Sequence, residues 1–550
     1  MSASALASRQ PNAQALQLRE RLYGARLWIA IGAVVALVVL AQGVNMLHYP
    51  YLEDDEGTYF SQAWAVFHLG RLSAYTYIYD HAPLGWIQIA IWQLLTFGHR
   101  FGYALASGRV LMLLFQIGSA VLVLLIGERA SRKTWVGLFA AAIFSLSTFG
   151  IFYHRRILID NVATFWMLLS VYLLVGRVTL RRVWLSGIAI GVAVLSKEIA
   201  VAIIPALAVL AARQTPRVNR LFAICGWLAL AFGVCLTYVV MAALKGELFA
   251  AGTALGGHQP HVSLLCSIQW QASRAADGGI LNSSSGFWRI VGSWAHSEPL
   301  LVAGGTCAAL ASVAALRRRP VIPMLGWCVI SLWLFLGRGG VTLPFYLLPL
   351  LPFLALSLAL VLNEAITAAR RARPELPAIG AGLAALAVAG SAVLLLVAYG
   401  RSDRGLWTSD PVAAQVSAVT WIQRHVPSSS RIVIDEYMWD ELHAPPRGAP
   451  IYDDAQYYWK VGEDPAVQRR GFSDNWHTVN YVVTTPQLVY DTIHNDFPIV
   501  TPALEHSVSV AAFNTGGWQI EVRRVDPDAP ASLNLFADKR GAQPRCLTYA

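Results

Sequence analysis

The sequence predicts a polytopic α-helical membrane protein that ends in a smaller α/β domain. Of its 550 residues, 56% are hydrophobic and only 13% are charged, and the mean hydropathy is +0.50. Soluble domains carry about 25% charged residues, so this composition indicates many apolar segments in a membrane. The segments lack the alternating apolar and polar residues of an outer-membrane barrel, and we therefore expect helical spans.

Hydropathy predicts about eleven membrane spans, taking roughly 17 to 25 residues as the usual length of a crossing. The fifth and sixth are too short for full crossings, which indicates broken or tilted helices. A shorter apolar stretch at 82–98 is interpreted as a re-entrant or interfacial helix. The first span shows no cleavage site for a signal peptide, so we expect a retained anchor. The spans are predicted near 27–47, 104–127, 134–151, 157–176, 183–196, 198–212, 221–243, 299–316, 321–337, 341–362 and 377–399.

Basic clusters predict the orientation of these spans. They fall in every second connection, as expected of cytoplasmic loops, so the net charge of +10 does not indicate nucleic-acid binding. The N-terminus, 1–26, is then cytoplasmic, and 27–400 forms a transmembrane domain with outer loops at 48–103 and 244–298. We expect a multi-pass protein of the bacterial inner (plasma) membrane. The clusters are Arg19/Arg21/Arg26, Arg129/Arg132/Lys133, Arg177/Arg181/Arg182, Arg213/Arg217/Arg220, Arg317/Arg318/Arg319 and Arg370/Arg371/Arg373, and the exception on the outer side is Arg155/Arg156.

The tail, 401–550, turns polar, aromatic and Pro-rich. Residues 412–425 have the pattern of an amphipathic helix, and strands are predicted at 431–435, 481–485 and 518–522. An odd number of spans places the tail outside, so we expect an extracytoplasmic α/β domain.

Two cysteines lie outside the predicted spans, Cys266 and Cys546, and these two could pair. The other four lie inside spans, where a small apolar residue is the ordinary interpretation. There is no CxxC pair, so a cysteine metal site is not expected.

Four consecutive carboxylates, Glu53-Asp54-Asp55-Glu56, follow the first span and belong to the first outer loop. They repel one another, so we expect at least one raised pKa or a neighbouring cation or metal ion. A solvated turn that caps the next helix is the alternative interpretation. Further polar residues at the same face predict a shared cavity. They are Asp160, Lys197, Glu198, Arg338 and Tyr346.

The order of these motifs resembles one family of membrane enzymes. Asp55-Glu56-x-x-Tyr59 resembles the acidic signature of the GT-C glycosyltransferases, and among them the bacterial aminoarabinose transferases and the protein O-mannosyltransferases. The resemblance covers about residues 25–365 and leaves out the tail. Its other elements are His81-Ala-Pro83-Leu84, with His where many members have Lys, Leu158-Ile-Asp160-Asn161, Ser196-Lys197-Glu198 and Leu343-Pro-Phe-Tyr346-Leu-Leu-Pro349.

The resemblance implies a sugar donor on polyprenyl phosphate, used at the outer face without a nucleotide. The acceptor would be an envelope lipid, polysaccharide or protein, and transfer would invert the sugar with or without a metal ion. Asp55 is the expected general base; Glu56 is a second catalytic residue, or instead orients the loop or holds a cation. Asp160 organises the site or binds metal, unless it caps the fourth span. The expected substrate-binding residues are Tyr59, His81, Lys197, Arg338, Tyr346 and Arg109.

Several alternatives remain open on sequence alone. Arg338 could snorkel to the headgroups, and Arg109 could simply pair with an acid. No cofactor is certain, although Asp80, His258 and His261 could hold a divalent metal ion. Two other kinds of protein compete with the enzyme: a flippase or transporter for polyprenyl-linked glycans, and a non-enzymatic protein that binds envelope glycans with its tail.

Overall fold

The computed structural model describes residues 13–75, 81–96, 99–258, 261–273, 278–315, 320–372, 404–495, 497–515 and 517–531. The predicted span at 377–399, the candidate metal ligand Asp80 and Cys546 lie outside these ranges.

The first part of the chain is helical, as its composition predicts. Short 3-10 segments at Glu198–Ile203 and Pro344–Leu347 interrupt the helices. The helices are α1 (Ala13–Val38), α2 (Asp54–His68), α3 (Leu84–Thr96), α4 (Ala104–Ser131), α5 (Thr134–Ser145), α6 (Thr148–His154), α7 (Ile159–Leu173), α8 (Leu180–Ser196), α9 (Ile204–Gln214), α10 (Arg220–Leu244), α11 (Leu264–Ser273), α12 (Gly286–Ser297), α13 (Thr306–Ala315), α14 (Val321–Leu336) and α15 (Leu351–Ala372).

Within the described ranges, four helical segments are long and apolar enough to cross a membrane. They are Gly24–Gly43, Ala104–Ser131, Arg217–Leu244 and Pro344–Ala369. The pair α5 and α6 bends by 66°, and the segments Gly286–Ser297 and Leu300–Ala314 meet at 108°, so each pair is a broken span or a re-entrant loop. The protein is therefore polytopic and helical, while the number of eleven spans stays a prediction.

The break predicted between the fifth and sixth spans is present. Helix α8 ends at Ser196, and Lys197 is extended, with φ −157° and ψ 129°. A 3-10 segment follows before α9 begins, with proline in its first turn. This geometry places the ionisable pair Lys197-Glu198 at a break between two apolar helices.

The tail folds as a mixed α/β domain. The predicted helix is α17 (Val412–His425), and the three predicted strands are β1 (Ile432–Ile434), β3 (Tyr481–Thr484) and β5 (Trp518–Val525). Two further strands, β2 (Ala455–Tyr457) and β4 (Ser507–Thr515), complete the sheet. The sheet order is β2-β1-β3-β5-β4, with parallel pairs around β1 and antiparallel pairs around β5. Elements not predicted are α16 (Arg404–Thr408), α18 (Trp439–His443), β2 (Ala455–Tyr457), α19 (Tyr458–Glu463), α20 (Pro465–Phe472), α21 (Pro486–His494), α22 (Val500–Glu505) and β4 (Ser507–Thr515).

Helix α2 is the link between the two parts of the protein. It packs on the 3-10 segment Glu436–Met438 that follows β1, and on α18. A Cβ at Gly57 would lie 2.2 Å from the carbonyl carbon of Glu436, so only glycine permits this backbone approach. The acidic run at the start of α2 therefore lies against the tail domain.

Candidate active site at the outer ends of the helices

A fully buried ion pair anchors α2 to the helical domain. The Glu56 carboxylate accepts from Arg109 Nε at 3.0 Å and from Arg109 Nη2 at 2.8 Å. It also accepts from the backbone N–H groups of Glu53 and Ile157. Both side chains are completely buried, which favours the interpretation that Glu56 orients the loop over a catalytic role.

The same contacts correct the assignment of Arg109 to the substrate site. Besides its bonds to Glu56, the guanidinium donates to the carbonyl oxygens of Met46, Pro50 and Tyr51. These bonds use all five N–H groups of an arginine. Arg109 therefore has no donor left for a phosphate, and the alternative of a buried pair with an acid is the correct one.

The basic pair Arg155/Arg156, which was the exception to the predicted orientation, also makes contacts inside the protein. Arg155 is 2% exposed and donates to carbonyl oxygens near the end of α1, at Ala41, Gln42 and Val44, and to that of Leu406 in α16. Arg156 is ion-paired with Glu53 and lies over aromatic rings. Both arginines are buried in protein, so they carry no information about which side of the membrane is cytoplasmic.

The break after α8 brings four ionisable side chains into one chain of contacts. Lys197 Nζ lies 3.4 Å from Asp160 Oδ2 and 3.1 Å from His81 Nε2. His81 Nδ1 lies 3.1 Å from Glu198 Oε2, and the other oxygen of that carboxylate accepts from the backbone N–H of Ala82. Because an ammonium only donates and a carboxylate only accepts, the imidazole carries its proton on Nδ1.

This chain of contacts changes two expected roles. Both ring nitrogens of His81 face protein groups, so the ring orients Lys197 instead of offering a free N–H to substrate. Glu198, to which no role was assigned from sequence, is the partner that fixes the ring. The N-cap of α7 is Leu158, not Asp160, so the capping alternative for Asp160 is wrong, and its carboxylate instead holds the lysine.

A cavity of about 340 Å³ opens beside Lys197. Arg338 and Tyr346 line it together with His81, and the Lys197 ammonium lies 5.3 Å from the centre of the Tyr346 ring. Arg338 is exposed and uses one N–H on the carbonyl oxygen of Phe335. Much of the remaining wall is apolar and consists of Val194, Leu195, Ile199, Val239, Leu264, Ile268 and Phe335, and the lining also includes Ala82, Glu198, Cys235, Tyr238 and Gln271. The cavity thus combines positively charged side chains at one end with a largely apolar wall.

Two larger cavities, of about 620 and 550 Å³, lie near the tail domain. Neither is lined by any residue expected at the site, so the smaller cavity is the candidate site.

Asp55 lies in the first turn of α2, half-buried. Burial raises its pKa to about 6, and the charge of Glu53 adds to the rise, while the charge of the Lys197 ammonium opposes it. Tyr59, one turn later, is buried, with its ring centre 6.3 Å from that of His81. A carboxylate with this pKa is suited to accept a proton near neutral pH.

The predicted metal site at Asp80, His258 and His261 stays a prediction, because Asp80 lies outside the described residues. His258 is exposed, and His261 Nε2 lies 2.9 Å from the carbonyl oxygen of Phe249. Across the described chain, the group of three possible ligands that lies close together is a different one, Asp54 with Asp435 and Glu436. Sequence reasoning missed the last two, whose only signal is an acidic pair after a buried strand.

Of the two cysteines that could pair, Cys266 lies within the described residues. Cys266 is disulfide-bonded, whereas Cys225, Cys235, Cys307 and Cys328 are free.

Known proteins share sequence and fold features with this chain. Residues 98–253 match the model of the dolichyl-phosphate-mannose-protein mannosyltransferase family. No curated protein sequence matches the chain. ArnT from Cupriavidus metallidurans, solved with undecaprenyl phosphate, aligns with a TM-score of 0.53 at 15% identity, covering 90% of this chain and 98% of that one.

Oligosaccharyltransferase structures from Archaeoglobus fulgidus align over a similar length. The apo form gives a TM-score of 0.52 at 12% identity, with 92% of this chain and 75% of that one covered. AglB in complex with an inhibitory peptide and a dolichol-phosphate gives 0.52 at 13% identity, with 90% and 74% covered. The chain therefore has the GT-C fold, and its residues 98–253 resemble the dolichyl-phosphate-mannose-protein mannosyltransferase family.

Proposed function

We propose that this protein is a membrane glycosyltransferase that moves a sugar from polyprenyl phosphate to an acceptor at the outer face of the plasma membrane. The observation that carries the proposal is the cavity beside Lys197, which has cations at one end and an apolar wall along its side. A lipid phosphate needs both features, because its charge and its prenyl chain require opposite surroundings. The similar ArnT structure contains undecaprenyl phosphate, which supports this donor class.

Lys197 is the expected contact for the donor phosphate. Its ammonium has three N–H groups, and its described polar contacts are with Asp160 and His81. A third N–H thus remains for an oxygen of the phosphate, and Arg338 can add a bidentate contact from the cavity wall. Holding the lysine between a carboxylate and an oriented imidazole pre-organises the charge before the donor binds.

The reaction is a single displacement with inversion at the sugar. The acceptor hydroxyl or amine attacks the anomeric carbon and gives its proton to Asp55. The bond from that carbon to the phosphate oxygen breaks, and polyprenyl phosphate leaves with the electron pair. Lys197 stabilises the negative charge that grows on the leaving phosphate, while Asp55 makes the nucleophile stronger as it attacks.

The proposal is tested with the full chain reconstituted in liposomes with radiolabelled polyprenyl-phosphate sugars and an envelope extract as acceptor. We expect labelled acceptor and released polyprenyl phosphate. Lys197→Met should lower the rate by about 100- to 1,000-fold, as loss of a transition-state contact does. Lys245→Met, at an exposed position after α10, is the matched control and should leave the rate unchanged. Full activity of the Lys197 variant, or donor movement across the bilayer without bond cleavage, would reject the proposal.

The rate should also depend on pH in a way set by Asp55. Because burial raises the pKa of this carboxyl to about 6, the base becomes protonated as the pH falls through that value. We expect kcat/KM to be constant at neutral pH and to fall about tenfold for each pH unit below 6. Thermal melts at each pH control for unfolding. A profile that stays flat between pH 5 and 8 in folded protein would contradict the assignment.

A further inference from the structure

Three carboxylates from distant parts of the chain meet where α2 touches the tail domain. Asp54 comes from the first turn of α2, and Asp435 and Glu436 follow β1. One oxygen atom from each lies within 4.8 Å of the others. Asp435 and Glu436 are both 2% exposed, while Asp54 borders solvent.

The charge of this cluster is not balanced by the surrounding protein. In the described part of the chain, no lysine or arginine forms an ion pair with any of the three. Their electrostatic neighbours are further acids, including Asp491. Burial accordingly raises the pKa of Asp435 to about 7 and that of Glu436 above its usual range.

Two buried oxygen atoms of the cluster also lack hydrogen bonds. They are Oδ1 of Asp435 and Oε2 of Glu436. Oδ2 of Asp435 accepts from the Thr485 hydroxyl at 2.6 Å, so that side chain is fixed with its other oxygen unpaired. Buried acceptors without a partner destabilise the folded protein, and more so when they are charged. The unpaired oxygen atoms therefore indicate a positively charged ligand that carboxylate oxygens can coordinate.

The backbone brings the acids together in spite of their repulsion. Gly57 allows α2 to pack directly on the main chain of Glu436. The Tyr458 hydroxyl lies 3.1 Å from Asp54 Oδ2 and 2.7 Å from Asp491 Oδ2, and its single proton cannot serve both carboxylates. The interface between α2 and the tail domain is therefore rich in carboxylates, and the Tyr458 hydroxyl supplies a single proton between Asp54 and Asp491.

We propose that Asp54, Asp435 and Glu436 bind one divalent cation that ties the first outer loop to the tail domain. Oxygen-only ligands select hard cations such as Ca²⁺ and Mg²⁺. The three oxygen atoms all lie within 4.8 Å of one another, close enough for one such ion to contact all three. Ca²⁺, which tolerates irregular coordination, is the probe for this site. Water would complete its coordination on the open side, next to Asp54.

The ion would also position the base of the proposed reaction. Asp54 immediately precedes Asp55, and both lie in the first turn of α2. An ion that holds Asp54 against Glu436 restrains this turn and hence the direction of the next carboxylate. The metal-binding claim itself does not depend on the transfer reaction, since it rests on the three ligands alone.

The test uses the full-length protein in detergent, stripped with EDTA and dialysed into metal-free buffer. Equilibrium dialysis with radioactive Ca²⁺ should give one ion per chain, and Ca²⁺ should raise the melting temperature by several degrees. Glu436→Gln should weaken Ca²⁺ binding by at least about tenfold. The same change removes an uncompensated charge, so the metal-free variant should melt above metal-free wild type.

Asp453→Asn is the matched control, since this carboxylate is exposed in the same domain; its Ca²⁺ binding should equal that of wild type. Absence of bound Ca²⁺ in wild type would overturn the proposal and leave a proton-sharing cluster. Equal binding by wild type and Glu436→Gln would overturn the assigned ligands. None of these readouts involves sugar transfer, so failure here is distinct from failure of the proposed function.

Discussion

Replacing Asp55 by asparagine should lower kcat for sugar transfer by about 100- to 10,000-fold, the usual contribution of a general base. Asparagine has nearly the same shape but cannot accept the proton of the acceptor. The apparent KM for the lipid donor should stay close to that of wild type, because the proposed contact for the phosphate is Lys197 and not Asp55. The measurement is single-turnover transfer from radiolabelled donor in liposomes.

The control for this experiment is Asp474→Asn. Asp474 is exposed in the tail domain and has φ of 50°, a backbone conformation that asparagine adopts readily. Its transfer rate should match that of wild type. If Asp55→Asn were as active as this control, Asp55 would not be the base. A loss confined to KM would instead indicate a role in donor binding.

Replacing Arg109 by methionine should lower the free energy of unfolding by about 3–5 kcal/mol, because it leaves Glu56 buried without its partner. The effect is large since both side chains are fully buried and the guanidinium uses all five N–H groups. Thermal melting of the purified protein in detergent is the measurement. A parallel loss of transfer activity should follow from displacement of α2, with Asp55 on it.

A second variant distinguishes the cost of leaving the Glu56 charge unpaired from the cost of losing the packing of the Arg109 side chain. The double change Arg109→Met with Glu56→Gln should recover part of the stability, because no buried charge then remains. Arg217→Met, at an exposed position before α10, controls for loss of a surface charge and should melt like wild type. If Arg109→Met melted like this control, the pair would contribute nothing to stability, and Arg109 would again be open to another role.

The elements that hydropathy and motif order predicted are those whose signals are local. The break at Lys197 follows from two ionisable residues between short apolar segments, and the structure has an extended residue there. The helix at Val412–His425 and strand β3 (Tyr481–Thr484) follow from periodicity within about ten residues. The short strand β2 and the bent pairs α5/α6 and α12/α13 lack such a signal, because their shape depends on what packs against them.

The sequence did not predict which side chains that are far apart in the chain would pair in the structure. Arg109 and Glu56 were both recognised as unusual, yet nothing local distinguishes an arginine that holds a phosphate from one that holds a carboxylate. The basic pair Arg155/Arg156 was the exception to the predicted topology. In the structure both arginines are buried, and they contact the chain just after α1, helix α16 and Glu53. Each outcome depends on how helices pack, and packing joins residues separated by tens to hundreds of positions.

The acidic run shows the division between sequence and tertiary structure most clearly. The sequence alone determined that four adjacent carboxylates beside an apolar span need compensation, since like charges repel and a membrane protein offers little water. Tertiary structure decided that each carboxylate has a different neighbour. Glu53 pairs with Arg156, Glu56 with Arg109, Asp54 meets the acids of the tail, and Asp55 lies near Lys197. The physical reason is helical geometry: successive side chains of one turn point in different directions, and each direction leads to another part of the fold.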